Sequence, residues 1–495
     1  VTRNTPRSGH LGALALGVLL CGLGSYAIAR PEARPTGLLR DFNAFYCAGR
    51  ALGVRADPYR SEPLGSCERE RKPAPLLTGA RGLVMPAPLP PYALVPFIAL
   101  AGLPYAVAAI VWSGGIVLCV AISVVALRRA TGAPLLPLVA AFALGDGYAS
   151  LCLGQIAPFA VAALAVAATF LSRRQDAPAA LAAAFAMLEP HIGLPACLAL
   201  FVWRRGTRIV LIACALAGTL ASFAVAGIGT TLEYVRAVVP AHVLSEVVNE
   251  KQFSLTYAAH RLGLADAAAV RAGECWYAAM LVTGIILARI VAKRTGNNAA
   301  LATIPPALTL LGGPFVHIAQ MPAALPAAFV LYAGAGEKTR RVVGGAIVVL
   351  AIPWIQFSNL GSLFLILAPL IVAILVATLI ERRLGVVAAA AVVTLLFVEQ
   401  LMYAVTTAAP DATPLLLAQY DPRALAEGTW SLYVHAVGTA NARAFDVAKI
   451  PTVLGLLTLA AAALRVALRP RDRSRTGRRA PAWKEAEGSW RIAHS

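Results

Sequence analysis

Few ionisable residues interrupt the apolar stretches of this chain, and those few are where chemistry is to be sought. Asp41 opens the segment Arg40-Asp41-Phe42-Asn43-Ala44-Phe45-Tyr46-Cys47-Ala48-Gly49-Arg50, in which Phe42, Phe45, Tyr46 and Gly49 fall at helical spacing. An aspartate in the first turn of such a helix has two readings. It is a helix cap accepting a backbone N–H, or a general base held where a membrane-bound substrate meets solvent. His317 lies within the otherwise uncharged stretch 299–336. An ionisable group inside an apolar run marks function by default; a histidine hydrogen-bonded in a bundle interior is the alternative. Glu189 and His191 flank Pro190 near the middle of the apolar run 178–203, and Asp146 and Gln155 flank a break in the run 134–172. These residues either shape a pocket or satisfy buried partners. No CxxC, HExxH, His/Cys ligand spacing or Gly-rich phosphate loop is present, so neither a metal nor another resident cofactor is expected.

The elements that position these residues follow from composition. Of 495 residues, 59% are hydrophobic and 14% charged, with a net charge of +19. A soluble domain carries roughly 45–50% apolar and a quarter charged residues. A soluble enzyme, a disordered chain and a disulfide-stapled module are therefore excluded. The basic surplus comes in short clusters beside apolar runs: Arg128-Arg129, Arg173-Arg174, Arg204-Arg205, Lys293-Arg294, Arg340-Arg341 and Arg382-Arg383, plus the arginine-rich tail. That placement is a cytoplasmic topology signal rather than a nucleic-acid footprint.

A crossing helix needs about 20 apolar residues. Leu11–Ala29, Tyr105–Leu127, Ile209–Gly229, Cys275–Ala292, two segments within Val342–Ile380, Leu384–Thr407 and Pro451–Leu468 qualify. The runs 134–172, 178–203 and 299–336 are broken at Gly154-Gln155, at Glu189-Pro190-His191 and at Gly312-Gly313-Pro314, and read as out-and-back hairpins. Pro91–Leu103 is too short to span and reads as a short or re-entrant helix. The chain is thus an all-α polytopic membrane protein with about 12–14 passes and both termini inside. It forms one domain over 1–468, followed by a basic cytoplasmic tail at 469–495. Loops 30–90, 230–274 and 408–450 lie on the other side and hold many of the acids. The helix containing Phe42 and Tyr46 is amphipathic and reads as lying on the membrane surface. Cys47 and Cys67 share the first loop and can pair in an oxidising compartment. Because lipid-exposed breaks are forbidden, the hairpin tips must line a protein cavity.

The stretch from Asp41 through Phe45-Tyr46-Cys47-Ala48-Gly49 to Asp57-Pro58-Tyr59 resembles the first exoplasmic loop of glycosyltransferase family 87. So do Pro90-Pro91-Tyr92, Leu153-Gly154-Gln155, the loop Asn249-Glu250-Lys251-Gln252-Phe253-Ser254 with the helix after it, and Pro314-Phe315-Val316-His317. The resemblance covers roughly residues 11–340, and the last third matches only as apolar helices. One departure is Glu189-Pro190 where family members commonly have Lys-Pro.

The resemblance implies a GT-C type fold and an inverting glycosyltransferase. The donor would be a polyprenyl-phosphate sugar, most often mannose, and the acceptor a membrane-associated lipid or glycan on the exoplasmic face. Asp41 would be the catalytic base. His317, Lys251, His260, Arg261, Glu189, His191 and Gln155 are the candidates for holding donor phosphate or sugar. Tyr46, Tyr59 and Tyr92 are candidates for stacking on a sugar ring or anchoring at the interface. No nucleic acid takes part. Richness in Ala, Arg, Pro and Gly points to a GC-rich bacterial gene and so to the inner membrane, with the site facing the periplasm or exterior. The rivals are an arabinofuranosyltransferase of the same family, a transporter of lipid-linked substrates, and a glycan polymerase or ligase using a diphosphate donor.

Overall fold

The structure is a computed structural model, and it describes residues 39–70, 81–357, 410–438 and 442–469. Among these residues every regular element is a helix, and there is no strand. The expected spans at 11–29 and 384–407, the second span within 342–380 and the basic tail lie outside the described residues. Among the described residues, four helices are long and apolar enough to cross a membrane: Tyr105–Thr131, Arg205–Glu246, Asp266–Thr295 and Phe445–Leu468. Two of them stop for the same local reason. Gly132 (φ 69°) and Gly296 (φ 72°) take the left-handed C-cap conformation, just after Arg128-Arg129 and Lys293-Arg294 in the last turn. The basic pairs therefore sit against the negative ends of the helix dipoles as well as at the span ends.

The broken runs fold as the proline and glycine positions require. The run 134–172 passes from Leu135–Ala141 through a wide π turn (Phe142–Tyr148) and a short helix (Ala149–Leu153), then breaks before Ala157–Ser172. In 178–203, the helix Asp176–Phe185 and a 3₁₀ turn lead to Glu189, and Pro190 starts the helix Pro190–Trp203. Proline suits that first position because its missing N–H has no acceptor to lose there. In 299–336, Ala300–Thr309 ends before Gly312-Gly313-Pro314, and His317 caps the 3₁₀ helix Ile318–Ala323 leading into Ala324–Gly334.

The first-loop helix, Arg40–Gly53, departs from expectation. Its apolar face is not spread on a membrane surface. Phe42, Phe45, Tyr46 and Cys47 are all buried, packed on the short helix Pro91–Ala101 and the start of Tyr105–Thr131. Phe42 stacks on Trp112 at 5.7 Å, and Phe45 lies 5.3 Å from Phe97. The close approach requires Gly49, where an added Cβ would fall 2.3 Å from the Phe97 carbonyl oxygen. A disulfide joins Cys47 to Cys67 in the next helix, Ser61–Glu70.

The three long loops meet in one cap. Arg60 pairs with Glu233, Ser61 N–H donates to Ala424 O at 2.8 Å, and Thr429 Oγ1 exchanges hydrogen bonds with the Val84 backbone. Glu250 N–H reaches Gly438 O at 2.9 Å. First, second and third loops are thus tied pairwise above the helices.

Candidate functional site

Asp41 stands in the first turn of the first-loop helix. The N-cap position itself belongs to Leu39, which makes no side-chain cap. The Asp41 carboxylate instead accepts an N–H from Gln155 Nε2. The sequence Leu153-Gly154-Gln155 makes that contact possible. Gly154 has φ 75° and lies so close to the first-loop helix that a Cβ would fall 2.6 Å from Phe42 Cβ. Its carbonyl accepts from Trp112 Nε1 at 2.9 Å, so the indole that stacks on Phe42 also fixes the turn.

The second part of the site is a connected polar chain. Glu189, buried at its hairpin tip, accepts from Gln320 Nε2 at 3.0 Å. Gln320 Oε1 accepts the backbone N–H of His317 at 3.0 Å. The His317 ring lies 3.0 Å from Gln252 Nε2 and 3.8 Å from Glu246 Oε2. Gln252 also donates to Glu246 Oε2 at 2.5 Å and accepts the Val316 N–H at 2.6 Å. Asn249 and Trp430 complete the donors to Glu246, at 2.7 and 2.6 Å. Phe315 sits between two imidazoles, with ring centroids 4.4 Å from His191 and 4.9 Å from His242. The 3₁₀ turn after His317 packs on the Ala149–Leu153 helix that leads to Gln155, so both parts share a wall.

Of the residues singled out from sequence, Asp41 and Gln155 form one contact, and Glu189, His191 and His317 join one cluster. Others are placed elsewhere. His260 pairs with Asp266 at 3.0 Å, and Arg261 with Asp446 at 3.4 Å. Lys251 lies over the Phe445 ring at 5.5 Å. These three gather at the Leu255–Arg261 helix around Asp446 and Tyr257. Tyr46 and Tyr59 are buried packing residues whose hydroxyls donate to Leu103 O (2.8 Å) and Leu89 O (2.7 Å); neither ring offers an open face for a sugar. Tyr92 is half-buried and donates to Met187 O at 2.8 Å, beside the Glu189 tip.

Sequence reading missed His242, Gln320 and Glu427. The signal for the first was available: His242 and Glu246 are four residues apart, on one face of the helix Val239–Glu246. Glu427, on the third-loop helix Ala426–Val437, is buried, and its Oε1 lies 3.9 Å from His242 Nδ1. Burial pushes the Glu427 carboxyl up to about 8. Chemically, the arrangement offers a carboxylate with an amide partner and, across a shared wall, a histidine–carboxylate cluster able to hold an anion or a cation.

No curated protein and no solved structure matches the chain. A family model does, over a narrower range than the resemblance in the sequence, and Asp41, His317 and Glu427 lie outside that range. Residues 89–312, the stretch that carries Gln155, Glu189, His242 and Glu246, match the model of glycosyltransferase family 87.

Proposed function

We propose that this glycosyltransferase moves a sugar, mannose in the first instance, from a polyprenyl-phosphate donor to a membrane-associated lipid or glycan acceptor. The reaction takes place under the cap formed by the three loops, on the exoplasmic face. The carrying observation is the Asp41–Gln155 contact: a carboxylate oriented by an amide donor, on a helix that packs against Ala149–Leu153, which in turn packs against the turn after His317. In this scheme Asp41 takes the proton of the acceptor hydroxyl as that oxygen attacks the anomeric carbon. The bond to the phosphate breaks on the opposite face, and the sugar is inverted. The lipid phosphate leaves already charged, so it needs positive or hydrogen-bonding neighbours rather than a general acid. His317, on the cluster's more open side, supplies one, and Gln252 orients its ring. Glu189, buried and bound to Gln320, serves to place His317 through that amide rather than to touch phosphate.

The test is Asp41→Asn, assayed in membranes against a panel of radiolabelled polyprenyl-phosphate sugars. A lost general base costs about 10²–10⁴ in rate, with donor binding retained. Near wild-type transfer by Asp41→Asn would remove Asp41 from this role. The panel also separates mannose from arabinofuranose donors, and facilitated movement of intact lipid with no transfer would favour a transporter.

A further inference from the structure

We infer that His242, Glu246 and His317 form a binding site for a divalent metal ion of the zinc class. One possible ligand atom from each lies within 4.8 Å of the other two. His242 and Glu246 project from the same helical face, and His317 arrives from the break after Gly312-Gly313-Pro314. Two imidazole nitrogens and one carboxylate oxygen are a zinc-type donor set that leaves a position open, the pattern of catalytic rather than purely structural sites. The His317 Nε2 to Glu246 Oε2 separation is 3.8 Å. A tetrahedron with bonds of about 2.0–2.1 Å has edges of roughly 3.4 Å, so this pair is a few tenths of an ångström too wide, and a set spread over as much as 4.8 Å closes on an ion by movements of up to about 1.4 Å.

The surroundings favour an ion over a plain hydrogen-bonded cluster. His242 is 6% exposed, and its ring nitrogen Nδ1 has no hydrogen-bond partner; Glu427 is 2% exposed, and both its carboxylate oxygens lack one too. The two groups face each other at 3.9 Å. A neutral imidazole has one N–H and one lone pair, and a buried polar group left unmet costs about 1–3 kcal/mol. An ion on Nε2 uses the lone pair, fixes the proton on Nδ1 and turns that N–H toward Glu427. The result is the carboxylate–histidine–metal arrangement by which proteins orient their ligands. Glu246 is held by Trp430 on Oε1 and by Asn249 on Oε2, whereas Gln252 Nε2 now bridges Glu246 Oε2 and the His317 ring and turns aside when an ion enters. The open position takes an anionic oxygen. If the function proposed above holds, that oxygen belongs to the donor phosphate, which His317 then holds through the ion rather than directly, and only this last step rests on that reading.

The experiment loads the purified full chain with zinc chloride in detergent and measures bound metal and its affinity by competition with a chromophoric chelator. About one zinc per chain is expected. His242→Ala, Glu246→Gln and His317→Ala should each weaken binding at least tenfold. Glu427→Gln, which leaves all three ligands in place, should weaken it about 10–100-fold. Should His242→Ala fail to fold, His317→Ala carries the comparison, because the His317 side chain is 32% exposed. Equal zinc content in wild type and His317→Ala overturns the site. So does transfer activity in a chain that binds no zinc. Zinc binding by a chain that transfers no sugar supports the site and counts against the proposed function instead.

Discussion

Substituting Gly154 by alanine probes how the fold delivers Gln155 to Asp41. The backbone there is left-handed, φ 75°, which costs an L-residue about 1–2 kcal/mol. The new Cβ would lie 2.6 Å from Phe42 Cβ and 3.1 Å from the Phe42 nitrogen, whereas carbon atoms pack at about 3.5–4.0 Å. One side must retreat by roughly 1 Å, and overpacking of that kind costs about 1–3 kcal/mol. The sum is about 2–5 kcal/mol of stability. The displaced backbone is adjacent to Asp41, and a misplacement of about 1 Å in a reacting group costs about a hundredfold in rate. Gly132→Ala is the matched control. Its φ is 69°, but nothing lies within 4 Å of the added Cβ, so it incurs only the backbone cost and leaves transfer unchanged. Thermal unfolding in detergent and initial rates of sugar transfer in membranes measure both quantities. If Gly154→Ala melts and turns over like Gly132→Ala, the packing of Gly154 does not position the site.

Two further expectations concern the cap. The Cys47–Cys67 bridge closes a loop with a sequence separation of 20. Its loss in Cys47→Ser/Cys67→Ser should cost about 3 kcal/mol by loop-closure entropy, and reduction of the wild type should lower the melting temperature to a similar degree; an unchanged melting temperature on reduction would contradict the bridge. Burial pushes the Glu68 carboxyl up to about 8 from its ordinary 4.5, against the pull of the Met85 N–H and the Arg69 charge. The folded state therefore holds a proton that the unfolded chain releases near pH 4.5. The stability this gives is complete below that pH and drains away as pH rises to about 8, by at most about 5 kcal/mol. Glu68→Gln should flatten this part of the melting-temperature profile, and a profile unaltered by the substitution would rule Glu68 out as its source.

Much of the frame was legible because its signals are local. The long helices announce themselves by apolar length, their ends by Arg-Arg or Lys-Arg before a glycine, and the hairpin tips by proline and glycine. Gly154-Gln155 and Glu189-Pro190 were legible as breaks for the same reason. What sequence could not disclose is which distant partner covers an apolar face. Phe42 and Tyr46 make the Arg40–Gly53 helix amphipathic whether lipid or the Pro91–Ala101 helix lies against it. The aromatic rings of Tyr46 and Tyr59 look alike as platforms or as packing until their hydroxyls are seen on Leu103 and Leu89. His242 and Glu246 become a site only when His317 and Glu427 arrive from other parts of the chain, and no local pattern carries that information.

The cap has a consequence for how the protein is made. Thr429 bonds to the backbone of Val84, a separation of 345 residues. At about 5–20 residues per second of synthesis, the first loop emerges roughly 20–70 s before its partner exists. Membrane insertion can proceed helix by helix, but the contacts that join the first loop to the third form only near the end of translation. The first loop, with Asp41 in it, therefore waits through most of synthesis for the partners that tie it down, and the joining of the three loops is a late event in the life of each molecule.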